Sequence, residues 1–208
     1  MILSGPARAA ALALALAAGL GGCVTIFPKA QPEQLYRFGE ATPPSAAASA
    51  GAVTVRAAGL EFDRAAASDQ ILTVRGDEVS YVGGGRWEVP AQVLFEAAVE
   101  NGFGAGGPVR YLPRGAPGHA QYALRLDVMR FEARYEGASA APTIVVRLAA
   151  TLTRQSDATP VGERVFEARA PAAANRIGAM VDAFDQATAK VVAGLTDWVD
   201  QTATPVAS

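Results

Sequence analysis

Two side chains with reactive chemistry occur once each in this 208-residue sequence, Cys23 and His119. A serine or cysteine nucleophile needs a base to activate it, and here only His119 could serve. That histidine stands in Pro117-Gly118-His119-Ala120, a turn-forming stretch in which it reads as a solvated loop residue. No Gly-x-Ser-x-Gly elbow occurs to present a serine. One histidine and one cysteine cannot close a tetrahedral metal site, and the remaining carboxylates are scattered. Asp182 and Asp185 lie three apart on a helical stretch, the spacing of a solvated acidic face, and Asp127 is placed to pair with Arg125 or Arg147. The glycine-rich stretches 83–85 and 102–107 lack the Gly-Lys-Ser/Thr ending of a phosphate loop. The pattern speaks against an enzyme, and no cofactor or metal is expected.

Cys23 fits a different chemistry. Residues 1–22 carry one charged side chain, Arg8, and residues 9–20 are only Ala, Leu and Gly. A short basic start before an apolar run is the build of a secretory signal. The run falls well below the roughly 20 residues of a membrane-spanning helix. It ends in Leu20-Gly21-Gly22-Cys23, which resembles the lipobox of bacterial lipoproteins: an aliphatic residue, two small residues and a cysteine. Small residues let the chain enter a peptidase cleft extended, and the thiol is the nucleophile that accepts the diacylglycerol. Residues 1–22 are therefore expected to be a cleaved signal peptide, and Cys23 the lipidation site. The residue after the cysteine is Val24 rather than Asp. By the sorting pattern of some Gram-negative lipoproteins, that favours the outer membrane over the inner.

A lone cysteine excludes internal disulfides and cysteine-rich zinc sites. Beyond residue 22 the chain keeps 17 Lys+Arg against 20 Asp+Glu, because Arg8 is lost from a total of 18 basic residues. A weakly acidic chain has no basic footprint for nucleic acid and no polybasic patch for anionic lipid. Its length suits one domain with a real core.

The elements behind these residues follow from periodicity. Residues 23–34 contain Pro28 and Pro32 and little alternation, and read as a tether; 35–200 read as the folded domain and 201–208 as a flexible tail. Leu35-Tyr36-Arg37-Phe38 alternates as a short strand, and 41–51 is rich in Ala, Pro and Ser, a second flexible stretch. Val53, Val55 and Ala57, then Ile71, Leu72 and Val74, mark two strands; Val79, Tyr81 and Trp87 flank a triple glycine that reads as a turn or loose loop. Pro90 suits the first turn of a helix whose apolar stripe is Val93, Leu94, Ala97 and Ala98 and whose end is Asn101-Gly102. Tyr122, Leu124, Leu126 and Val128 alternate, and the phase then flips to Phe131, Ala133 and Tyr135, predicting a β-bulge at Met129-Arg130. Two more alternating runs, 144–152 and 163–170, complete an antiparallel meander with one solvated face. Asn175 is placed to cap a final helix with the stripe Ile177, Met180, Val181, Phe184, Val191, Leu195 and Trp198. The expected fold is α+β: one mainly antiparallel sheet packed by two helices, a single domain behind a lipidated tether.

In this order the features resemble the ABC-type transport auxiliary lipoproteins, the family of the paraquat-inducible protein C type. The resemblance rests on Cys23, Tyr36-Arg37-Phe38, the strand pair within 53–74, Tyr81 and Arg86-Trp87-x-x-Pro90, the strands 122–135 and 143–153, Val165-Phe166, and Leu195-x-x-Trp198-Val199. It implies a periplasm-facing auxiliary component that acts by protein binding in lipid transport between the two membranes. Its partner would be an MCE-domain (mammalian cell entry) protein, with a permease and an ATPase; a ring-shaped partner leaves room for a homo-oligomer by symmetry matching. Tyr81, Arg86 and Trp87 are the candidate partner-binding residues, since Trp and Arg dominate interface hot spots. Trp87 itself is read mainly as core, packing at the start of the helix after Pro90, with the interface as its alternative. The alternative function is a lipoprotein that assists outer-membrane barrel or lipopolysaccharide assembly.

Overall fold

Alternating runs build most of the sheet, and the helical stripes cover one side of it. The computed structural model describes residues 33–39, 53–137 and 141–204. In chain order these form β1 (Gln34–Tyr36), β2 (Val53–Phe62), β3 (Gln70–Arg75), β4 (Glu78–Trp87), α1 (Ala91–Gly104), β5 (Val109–Leu112), β6 (Tyr122–Tyr135), β7 (Thr143–Arg154), β8 (Pro160–Pro171) and α2 (Ile177–Thr202). The expected α+β class with two helices on one sheet is observed, and Cys23 and residues 1–32 lie outside the described residues.

Strands β6, β7 and β8 form the expected antiparallel meander. The register of β6 against β7 slips between Val128 and Arg130, where the sequence phase flips. Along β8, Phe166, Ala168 and Ala170 are buried while Val165, Glu167 and Arg169 face solvent. On the solvent side of β6, Glu132 is nearly covered, with Arg134 at 2.5 Å and Arg130 at 3.7 Å.

The other edge of β6 is shared, which local periodicity does not announce. Its first half pairs in parallel with β2, from Val55↔Tyr122 to Phe62↔Val128, and its last residues pair in parallel with β3, Thr73↔Ala133 to Arg75↔Tyr135. Between them the chain leaves the ladder after the Asp63 N–H donates to the Val128 carbonyl, 2.9 Å. The sheet thus forks beside β6: β2 carries β5 on one arm, and β3 carries β4 and β1 on the other. The long ladders are antiparallel and the parallel ones short.

Five expectations are corrected. The triple glycine is not a turn but lies inside β4; its register against β3 jumps from Leu72↔Tyr81 to Gln70↔Arg86, so β4 bulges there. Gly84 sits at φ +83°, and a Cβ on Gly85 would stand 2.9 Å from the Tyr36 ring and 3.0 Å from Ile177. Helix α1 runs past Asn101-Gly102 to Gly104, because the glycine is where α2 comes close: a Cβ there would lie 2.3 Å from Cγ1 of Val192. Asn175 does not cap α2; the N-cap is Arg176 without a side-chain cap bond, and Asn175 Oδ1 accepts the Tyr135 hydroxyl at 2.7 Å. Asp127 takes neither expected partner, since Arg125 pairs with Glu61 across to β2 and Arg147 with Glu167 on β8. At the carboxyl end, α2 occupies positions 201 and 202, Ala203 is buried, and the Thr204 carbonyl accepts the Tyr122 hydroxyl at 2.8 Å, so the domain extends through these residues.

The core lies between the sheet and the helices. Phe131 at its centre has Phe184 4.7 Å away, Phe38 5.0 Å away and Phe62 5.5 Å away, ring centre to ring centre. Phe184 and Leu195 are fully buried on the sheet-facing stripe of α2, with Asp182 and Asp185 exposed, as expected from the spacing.

Candidate interaction surface

Tyr81, Arg86 and Trp87 all lie on β4, but the strand sends them to different places. In a flat strand residues 81 and 87 would share a face, because side chains alternate. The bulge at the glycines shifts the phase. Tyr81 is 43% exposed beyond it, and its hydroxyl donates to the Ala65 carbonyl at 3.1 Å. Trp87 is 1% exposed and stacks edge-on against Phe38 at 5.0 Å and Phe184 at 5.3 Å. It is a core residue, and in this structure its ring has no surface to offer a partner.

Arg86 is a strut at the surface. Its guanidinium binds Glu33, just before β1, and Asp69, 3.1 Å away in the segment before β3. The hydrogen bond to Glu33 first, then that to Asp69, holds its proton more firmly than in free arginine. On the same edge, β1 covers β4 only from Gly85 to Trp87. Leu35, which pairs with Arg86, stays exposed there, and further along β4, before the glycines, so do Val79 and Tyr81. Interfaces favour that mixture of aromatic, aliphatic and arginine side chains.

Behind β4, on the helix side of the sheet, lies a cleft that the sequence did not disclose. The hairpin of β3 and β4 supplies Arg75, Glu78, Ser80 and the candidate residue Tyr81; Tyr135 ends β6; Arg176 and Ile177 start α2. These residues come from three separated parts of the chain, and no motif joins them. A second hollow, near α1 and β5, is lined by Glu96, Glu100, Tyr111 and Arg114. Burial, then the neighbouring carboxylates Glu100 and Glu96, pushes the Tyr111 hydroxyl well above the usual phenol range. Burial, with Glu96 second, also raises the Glu100 carboxyl. Among the described residues no group of three metal-ligating side chains occurs, and no helix is long and apolar enough to cross a membrane. His119 lies exposed in a loop.

A family model described as "ABC-type transport auxiliary lipoprotein component" matches residues 36–195. No curated protein matches the chain. Among solved structures, the protein XCC0632 from Xanthomonas campestris, of family DUF330, superposes with a TM-score of 0.66 at 24% identity, covering 83% of this chain and 94% of that one. The hypothetical protein CT253 from Chlamydia trachomatis gives 0.52 at 9% identity, covering 73% of this chain and 98% of its own. At these identities the likeness is one of fold.

Proposed function

The chain belongs to the family of ABC-type transport auxiliary lipoprotein components, and from that membership we propose that it works by binding, as the lipid-anchored accessory of a transporter that moves lipid between the inner and outer membranes. The observation that carries the proposal is the extent of the family match, which runs from the last residue of β1 into α2 and takes in all of β2 to β8 and α1. Cys23, after its run of small residues, is the anchor in this reading, and Val24 directs the protein to the outer membrane, facing the periplasm. An MCE-domain protein, with its permease and ATPase, is the partner. The partner surface is the outer edge of β4 with Tyr81 and Arg86; Trp87 supports it from behind, by fixing the strand to the core.

The test is covalent cross-linking of the lipidated protein in cells, followed by purification and identification of what it holds. Recovery of an MCE-domain protein with its permease and ATPase supports the proposal, and Tyr81→Ala with Arg86→Ala should reduce that recovery while leaving the fold intact. Cys23→Ser should abolish membrane retention without changing the melting midpoint, because the effective concentration at the membrane is what the anchor supplies. Recovery of barrel or lipopolysaccharide assembly proteins alone overturns the transport reading in favour of the assembly one.

A further inference from the structure

The cleft between the β3–β4 hairpin and the start of α2 measures about 380 Å³. That is within the size range of small-molecule sites, roughly 300–1,000 Å³. Two arginines line it from different elements, Arg75 on β3 and Arg176 at the N-cap of α2. Among the described residues neither makes an ion pair, whereas Arg86, Arg134, Arg147 and Arg169 each hold a carboxylate. Arg75 is nevertheless held in place: its guanidinium carbon lies 4.5 Å from the centre of the Tyr135 ring. That ring is fixed in turn by its hydroxyl bond to Asn175, 2.7 Å. An arginine stacked on an aromatic face keeps its in-plane N–H donors free for another acceptor.

We propose that this cleft binds a phosphate ester, with the phosphate between the guanidinium groups of Arg75 and Arg176. Donors arriving from two elements suit the tetrahedral oxygens of a phosphate better than one flat carboxylate, and guanidinium forks match phosphate oxygens in pairs. The first turn of α2 has no acidic residue, so nothing there offsets the positive end of the helix. Val82, Ile177 and Met180 form an apolar wall beside the charges, which calls for a ligand with a carbon skeleton rather than a bare ion. Glu78 is the one carboxylate in the lining, and it opposes the anion. The shared chemistry is a phosphate ester, whether it belongs to a phospholipid headgroup or to a small free ester. The inference rests on the cleft alone and holds with or without a transporter partner.

The test is calorimetric titration of the full chain in neutral detergent at about 0.1 M salt, where exposed charges act only over ~10 Å. The probes are dihexanoyl phosphatidic acid, glycerol 3-phosphate and succinate. Saturable binding of either phosphate compound is expected, weakened about tenfold or more by Arg75→Gln and by Arg176→Gln. Arg75→Lys should recover part of the binding, and Glu78→Gln should tighten it. Binding of the lipid but not of glycerol 3-phosphate assigns the site to a headgroup, and equal binding assigns it to a free ester. The melting midpoint is read for every variant, and Arg176, which among the described residues stacks on no ring, gives the variant with the least effect on folding. The proposal is overturned if neither phosphate compound binds, if both Gln variants bind unchanged, or if succinate binds as tightly.

Discussion

Replacing Gly102 by alanine sets two effects of opposite sign against each other. Inside a helix, alanine is favoured over glycine by about 1 kcal/mol. Yet a Cβ at position 102 would stand 2.3 Å from Cγ1 of Val192, 3.8 Å from its Cβ and 3.5 Å from Thr196 of α2. Carbon atoms rest at about 3.5–4.0 Å, so the helices would have to separate by more than 1 Å or Val192 leave its preferred rotamer. Overpacking of this kind costs about 1–3 kcal/mol, which leaves a net loss near 1 kcal/mol. For a domain of this size that lowers the melting midpoint by about 2–4 °C. Gly104→Ala, two residues on and with nothing within 4 Å of its Cβ, should do the reverse and hold or raise the midpoint. Val192→Ala should relieve the clash, so in a double-mutant cycle the pair should couple favourably by about 0.5–3 kcal/mol. Circular dichroism melts of the four variants read all three quantities. A Gly102→Ala protein that melts above wild type, or zero coupling with Val192, would refute the close approach of α1 and α2.

Three other outcomes follow from burial and charge. Trp87→Ala should cost about 3–5 kcal/mol, seen as a lower denaturant midpoint, because a 1%-exposed indole leaves a hole among Phe38, Phe131 and Phe184; an unchanged midpoint would contradict the core position of the ring. Phe184→Asp puts an unpaired charge at a fully buried site and should leave no cooperative unfolding transition, whereas Asp182→Ala on the exposed face should melt like wild type. Glu100→Gln tests the hollow near α1: the native carboxyl is raised, so the charged form is disfavoured by folding at neutral pH and the penalty disappears as pH falls through the raised value toward the ordinary one. The Gln variant should therefore melt higher than wild type at pH 7, and the difference should shrink in acid; a difference that grows in acid would reverse the assigned sign.

Most of the helices and the meander were legible because each has its own period. The phase flip after Val128 located a bulge to the residue, and the stripe through Phe184 and Leu195 gave the buried side of α2. What failed depended on chain that is distant in sequence. The triple glycine looked like a turn because its role is to make room for Tyr36 and Ile177, which no local pattern reveals. The parallel pairing of β2 and β3 with β6 leaves no mark, since alternation is the same in either direction. Of the candidate site, Tyr81 and Arg86 were read as surface and Trp87 mainly as core, from its place before Pro90; the bulge that separates its face from that of Tyr81 was not legible. The cleft with Arg75, Tyr135 and Arg176 was illegible because its residues meet only in the folded state.

The fork beside β6 also imposes an order of events on folding. The meander of β6, β7 and β8 joins neighbours through short connections, so its ladders close quickly. Strands β2 and β3 must instead find partners roughly 60–70 residues further along, and each such closure has to overcome chain entropy before any contact rewards it. A chain delivered amino end first therefore exposes β2 and β3 while their partner is still absent. β2 carries Val53, Val55 and Leu60 and β3 carries Ile71, Leu72 and Val74, and the edge of each that will meet β6 stays unpaired throughout that wait. The waiting interval, rather than the finished fold, is where this protein is most exposed to aggregation, and anything that shields residues 53–75 during delivery would raise its yield without touching its stability.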